Sequence, residues 1–280
     1  MRYALFKGCI IPYRISYYEL SARRILAKLG IELVELDFGC CGSQMLESRN
    51  TDLWLLVAAR NLAVAERENL DILTLCGSCT NILSRAKRIL ESDAKKADNV
   101  KQVLRKIGMK FKNDRGVIHI LRLLVEGIGT REVKQYIRKK LDLKVAFQHP
   151  CQIYRPAEIM NFGRDAVKDF SSHFISDIFH MDVCCGETLI ATNQDACISI
   201  LKKNLETCEA EDVGMIMTAC GNCQMTYDLN QLGLNLKDEI ARALPSLTIT
   251  QALGIAMGYG HNELGLGQNL IKIDAEYHEK

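Results

Sequence analysis

Leu75-Cys76-Gly77-Ser78-Cys79 is followed, 144 residues later, by Ala219-Cys220-Gly221-Asn222-Cys223. Each motif closes a short apolar, β-prone run (71–75 and 213–218) and opens a stretch with helical spacing. The vicinal pair upstream, Phe38-Gly39-Cys40-Cys41-Gly42, is echoed at the same offset by Asp182-Val183-Cys184-Cys185-Gly186. Further upstream, Tyr3-Ala4-Leu5-Phe6-Lys7-Gly8-Cys9 has its counterpart in Val145-Ala146-Phe147-Gln148-His149-Pro150-Cys151. Ten cysteines thus form two copies of C-x30–32-CC-x34-CxxC, and a repeat on that scale is an architectural statement.

The runs before the motifs predict strands at 2–7, 32–37 and 71–75, then at 144–148, 177–183 and 213–218. Helices are predicted between them. Segment 16–29 carries Tyr18, Ala22, Ile25, Leu26 and Leu29 on one face, with Gly30 as its C-cap. Segments 52–68, 157–170 and 192–209 read the same way. Strands alternating with helices give an α/β fold with parallel sheets. Two homologous Rossmann-like half-domains are expected, 1–141 and 142–280, pseudo-twofold related. The cysteines then sit at the carboxyl ends of the strands, where open α/β sheets assemble their sites.

Of the 280 residues, 48% are apolar and 25% charged, the profile of a globular chain. A net charge of +2 asks for neither nucleic acid nor an anionic membrane. The opening residues are too weakly apolar for a signal peptide, and no run reaches the roughly 18 apolar residues of a membrane span. A cytoplasmic protein without membrane insertion is expected. There, twelve cysteines remain thiols and point to metal binding or redox chemistry.

A structural zinc site takes four donors in a tetrahedron, typically two separated CxxC pairs. Each copy here has one CxxC, a vicinal pair and a lone cysteine. Side chains of adjacent residues on an extended segment diverge, which suits a larger polynuclear object better than one ion. Soft thiolates select zinc or iron–sulfur assemblies, and a simple cubane takes four cysteines. Five per copy favour iron–sulfur clusters over zinc. A thioredoxin-like redox role for the two CxxC motifs leaves the vicinal pairs unexplained. Cys197 and Cys208 lie eleven apart on one predicted helix, without counterparts in the first copy, and read as core. His119, in an apolar Val-Ile-His-Ile-Leu run, also reads as core.

The doubled pattern resembles the cysteine-rich CCG-domain family, and within it the B-type subunit of heterodisulfide reductase. The similarity extends to the closing Ala252-Leu253-Gly254-Ile255-Ala256-Met257-Gly258 and Glu263-Leu264-Gly265-Leu266. The resemblance implies two noncubane [4Fe–4S] clusters. By position, Cys9, Cys40, Cys41, Cys76 and Cys79 would hold one, and Cys151, Cys184, Cys185, Cys220 and Cys223 the other. It implies a disulfide reductase in which the clusters, rather than side chains, react, cleaving the coenzyme M–coenzyme B disulfide of methanogenesis between them. Gln152 stands where methanogen members carry a histidine. A glutamine cannot deliver a proton, so sulfur-oxidising relatives that act on protein-bound thiols become a second expectation. His149, Gln152 and Arg155, around Cys151, are candidate substrate-binding residues.

The chain has no C-x2-C-x2-C-x3-C run and no G-x-G-x-x-G fingerprint. Its electrons are therefore expected from partners: a ferredoxin-like subunit of the heterodisulfide reductase C type and a flavin subunit of the A type. Other readings are the iron–sulfur subunit of a glycolate, lactate or succinate oxidoreductase, and an electron relay without its own substrate. The Lys- and Arg-rich segments 95–115 and 131–144 are the expected docking places for an acidic partner.

Overall fold

A computed structural model describes residues 1–273. Two four-stranded sheets carry the architecture. The first has the order β2-β1-β3-β4, with β1 at Arg2–Phe6, β2 at Glu32–Val34, β3 at Asp71–Thr74 and β4 at Val117–His119. The second has the order β6-β5-β7-β8, with β5 at Leu141–Gln148, β6 at Ile175–Met181, β7 at Met215–Thr218 and β8 at Ser246–Thr248. Every pairing is parallel. Parallel strands need helical crossovers that cover both faces, which explains why Ile72–Leu73 and Met215–Met217 at the centres of β3 and β7 are apolar. Leu73, Met215, Ile216 and Met217 are accordingly buried.

The α/β class and the three leading strands of each half follow the sequence reading. Two differences have local causes. The short strands β4 and β8 escaped the sequence reading because three residues cannot display a period. The helix expected over 157–170 is broken into Ala157–Met160 and Arg164–Ser172. Asn161 adopts the left-handed conformation at φ 39° and Gly163 caps the second piece, a stop-and-restart signal inside an apparently continuous pattern. The helices Ser16–Lys28, Thr51–Arg67 and Gln194–Ala210 form close to where they were expected.

The two halves share a core. The helix Ile249–Ala256, late in the chain, packs on the helix Ser16–Lys28, and the Ser21 and Thr250 hydroxyls meet at 2.7 Å. Gly254 permits that approach, since a Cβ there would meet Leu264 and Ile25. Tyr17 of the first half donates to Asp228 at 2.5 Å and accepts from Gln224 at 3.0 Å in the second. Buried polar groups tied in this way fix one relative placement of the halves. Among the described residues no helix is long and apolar enough to cross a membrane.

Candidate metal centres

The three cysteine motifs of each half follow its first three strands in chain order. Cys9 lies just beyond β1, Cys40 and Cys41 beyond β2, and Cys76 beyond β3; Cys151, Cys184 and Cys220 follow β5, β6 and β7. Parallel strands therefore carry all ten cysteines to one edge of the sheets.

Local chemistry shapes each loop. Gly42 and Gly186, directly after the vicinal pairs, sit at φ 102° and 86°, a left-handed region that glycine enters without steric cost. The turn aims their backbone N–H groups at Cys40 and Cys184 Sγ, each at 3.4 Å. Two helix asparagines fasten the loops from below. The Asn61 amide donates to the Cys40 carbonyl at 2.9 Å and accepts from Gly39 N–H, while Asn204 donates to the Cys184 carbonyl at 3.1 Å. Sequence reading overlooked both. Their signal was there, in Arg60-Asn61-Leu62 against Lys203-Asn204-Leu205.

The ten thiols form one continuous run of neighbours. In the first half, hydrogen-bonding contacts link Cys9 to Cys40, Cys40 to Cys41, Cys41 to Cys79 and Cys79 to Cys76. In the second, they link Cys151 to Cys184, Cys184 to Cys185, Cys185 to Cys223 and Cys223 to Cys220. The two runs join where Cys76 and Cys220 Sγ stand 3.6 Å apart. Packing at this junction is reciprocal. Gly221 lies against Ile11 and Cys76, and Gly77 lies against Pro150, Gln152 and Ile153 of the other half. Six of the ten are buried, whereas Cys9, Cys40 and Cys184 are exposed and Cys151 is half-buried.

Such crowding polarises the thiols. Cys40 is held at about 2 because Cys41 and Cys9 donate to it, and Cys41 is pushed up to about 12, chiefly because it keeps the proton it shares with Cys40. Cys184 is likewise held at about 2 by Cys151 and Cys185, and Cys185 is pushed up. Neighbouring thiols cannot all ionise together by themselves; a cationic ligand seated among them removes that obstacle. Among the described residues no group of three or more His, Cys, Asp or Glu is arranged to hold a single metal ion. All five thiols of the first set instead line one cavity of about 180 Å³. Soft donors spread along a wall, rather than converging on a point, fit a polynuclear cluster better than one zinc ion.

The remaining candidates fall around this edge. His149 is buried and both its nitrogens are occupied, Nδ1 with Tyr154 OH and Nε2 with His180 Nδ1, each at 3.0 Å. Burial lowers its pKa to about 4, so it is a neutral structural imidazole with no free nitrogen for a substrate. The Gln152 carbonyl accepts from Asn81 at 3.1 Å, and Arg155 lies near enough to Cys184 to favour its thiolate. His119 is buried, its Nδ1 accepting from Leu121 N–H at 3.2 Å. Cys197 and Cys208 are buried outside the run, Cys208 against Met181 at 3.5 Å. The basic segments divide: 95–115 begins on the helix Ala94–Lys106, which lies beside the start of the helix Thr51–Arg67, and then leads into β4, while 131–144 leads into and enters β5. Only the lead-ins to β4 and β5 lie at the edge opposite the cysteines, and Lys144 is paired with Glu211.

A profile of the cysteine-rich domain, CCG, matches residues 3–84 and 145–228. The B-type subunit of the ferredoxin/F420H2-dependent CoB–CoM heterodisulfide reductase of Methanosarcina acetivorans is 31% identical over 96% of this chain and 93% of its own. The membrane anchor subunit of the 8-methylmenaquinol:fumarate reductase of Wolinella succinogenes is 28% identical over 96% of each. In structure, a hypothetical protein from Helicobacter pylori superposes with a TM-score of 0.74 at 15% identity. It covers 98% of this chain, which spans 52% of that protein, and the likeness concerns the fold alone.

Proposed function

The chain belongs to the cysteine-rich CCG-domain family, among the relatives of the B-type heterodisulfide reductase subunits, and from that premise we propose that it is the disulfide-reducing subunit of an oxidoreductase complex. Each half, 1–141 and 142–280, would hold one noncubane [4Fe–4S] cluster through its five cysteines. The carrying observation is the meeting of Cys76 and Cys220 at 3.6 Å, which brings both donor sets to one region of the interface between halves. When bound, such clusters supply single electrons and Lewis-acidic iron.

The balance is RSSR′ + 2 e⁻ + 2 H⁺ → RSH + R′SH, and two one-electron centres beside one S–S bond match its electron count. The chain's own residues do the rest. Gly42 and Gly186 N–H orient Cys40 and Cys184, and Asn61 and Asn204 fix the loops that carry them. The buried CxxC turns keep water from Cys76, Cys79, Cys220 and Cys223. Arg155 offers a cation beside exposed Cys184 for a leaving thiolate or an anionic end of the substrate. Partner subunits of the ferredoxin-like and flavin types would deliver the electrons, and the coenzyme M–coenzyme B disulfide is the leading substrate.

A second reading is favoured by the fumarate reductase subunits among the relatives: an electron relay with no disulfide of its own. Anaerobic purification with iron and sulfide analysis, followed by assay with a reduced viologen, separates the two. About eight irons per chain are expected from two four-iron clusters, together with viologen-dependent loss of a disulfide. Clusters that are reduced but consume none of the coenzyme M–coenzyme B, peptide or protein disulfides offered would leave the relay. Stoichiometric zinc with little iron would overturn both readings.

A further inference from the structure

Three thiols of the first set, Cys41, Cys76 and Cys79, are buried, so a group seated among them has to enter past a wall that moves. Ser43, Gln44 and Met45 supply part of that wall, and all three belong to the helix Ser43–Arg49 directly after the vicinal pair. Among the described residues this is the one helix that buries no side chain. Its seven residues fall well short of the roughly 12–15 that an isolated helix needs, so it stays folded by what it touches. Both flanks are non-helical: Gly42 before it sits at φ 102°, and Asn50 after it is extended at φ −155°. Leu46, half-buried, rests on the core beneath. Side chains tie the outer face to the helix Gly77–Ser92. Ser78 donates to Gln44 Oε1 at 3.2 Å, and Arg85 forks onto Glu47, Nη1 to Oε2 at 2.9 Å and Nη2 to Oε1 at 2.5 Å. Arg85 is itself seated over the ring of buried Trp54, 5.6 Å from its centroid, which anchors the fork on the core side.

The matching segment of the second half is fastened differently. Glu187, directly after Gly186, is buried, and its Oε2 accepts from Thr226 and Asn230 at 2.9 and 2.8 Å. Releasing that clamp would strand buried polar groups, which is costly. The Glu47–Arg85 fork, partly open to solvent, exchanges its partners for water at little cost. We propose that the helix Ser43–Arg49 is a hinged gate over the first cysteine set, swinging about Gly42 and Asn50, with the Glu47–Arg85 fork as its latch. A cluster enters and leaves the first set through this gate. The second set has no such gate, and its cluster exchanges more slowly. The inference rests on the cluster reading of the five cysteines and adds the route by which they are loaded. Gly42 suits a hinge because glycine crosses between positive and negative φ without a Cβ clash.

Two readouts on the anaerobically prepared, loaded chain test the gate. Hydrogen exchange followed by mass spectrometry should show the hydrogen-bonded amides 47–50 exchanging at least about tenfold faster than those inside the helix Thr51–Arg67. Iron release to a chelator, resolved by EPR, should strip the first centre ahead of the second. Glu47→Gln removes the charge and one arm of the fork. It should speed both exchange at 47–50 and release from the first centre about fivefold, leaving the second centre unchanged. Arg85→Lys keeps the charge without the fork and should act alike. The double variant should go no further than either single one, because the same latch is lost in all three. Raising the ionic strength from about 0.05 to 0.5 M should bring the unaltered chain toward the variants. Exchange at 47–50 as slow as inside Thr51–Arg67 would overturn the proposal. So would release from the first centre that ignores both variants, or equal acceleration of the two centres, which reports general loosening. The exchange readout needs no metal, so a chain lacking iron would remove the cluster reading while exchange at 47–50 still decides the gate.

Discussion

Gly42 and Gly186 show how much of the site depends on single backbone angles. Their positive φ turns each loop back so that its N–H meets the first cysteine of the pair. An added Cβ at Gly42 would also stand 3.1 Å from Trp54. Gly42→Ala is expected to cost about 1–2 kcal/mol through the left-handed strain, read as a lowered denaturation midpoint. Reduced iron content should accompany it, as Cys40 loses its donor. Cys197→Ser and Cys208→Ser should leave iron and sulfide unchanged, because neither thiol joins the ten-membered run; loss of iron in either would add a ligand. His119 gives a pH dependence. Burial lowers its pKa to about 4, so between the unfolded value near 6.5 and about 4 only the unfolded chain takes up a proton. Its contribution is complete above about pH 6.5 and falls as the medium is acidified, by up to about 3 kcal/mol at pH 4. His119→Asn, which keeps an acceptor for Leu121, should flatten the acid limb of a stability profile measured with iron content followed alongside.

At the level of elements, the junction between halves is the point most exposed to change. The helix Gly77–Ser92 opens at the first CxxC and reaches across to the loop after Cys151. Asn81 on that helix donates to the carbonyls of Gln152 and Arg155. Asn81→Leu would leave both carbonyls short of a donor, at a cost of about 1–3 kcal/mol. Its spectroscopic effect should fall on the second centre, although the residue belongs to the first half. The same junction sets which ligand variants stay local. Cys41→Ser and Cys185→Ser should disturb the EPR signal of their own half. Cys76→Ser, by contrast, should alter both signals, because Cys220 lies 3.6 Å away. Two independent spectra after Cys76→Ser would show that the sets do not communicate.

Over the whole molecule, polarity of the sheets decides where a partner can help. The basic stretches expected to attract an acidic subunit end in lead-ins to the starts of β4 and β5, the edge away from the cysteines. Under the proposed function a partner delivers electrons at the other edge, where Cys9, Cys40 and Cys184 are exposed and Tyr13 and Val183 present 85% and 51% of their surfaces. Docking through that apolar rim should depend weakly on salt, whereas contact through the lysines would weaken steeply as ionic strength rises. Reduction of the loaded chain by an iron–sulfur partner at about 0.05 and 0.5 M salt measures the difference. Charge reversal at Lys110 and Lys112, in the lead-in to β4, should leave the rate unchanged, and a large loss there would return docking to the basic edge.

The cysteine repeat was legible without coordinates because ligand spacing and strand–motif order are properties of the chain itself. It yielded the α/β class, the six leading strands and the division of ten cysteines from Cys197 and Cys208. Short elements such as Val117–His119 and Ser246–Thr248 stayed hidden, since three residues carry too little pattern and form only because β3 and β7 offer an unpaired edge. Likewise His149 looked available in sequence, yet Tyr154 and His180 occupy both of its nitrogens. The approach of Cys76 to Cys220 belongs to the tertiary structure. It depends on how the two sheets dock through Tyr17, Ser21 and Gly254, and contacts between residues more than a hundred positions apart leave no local trace in a sequence.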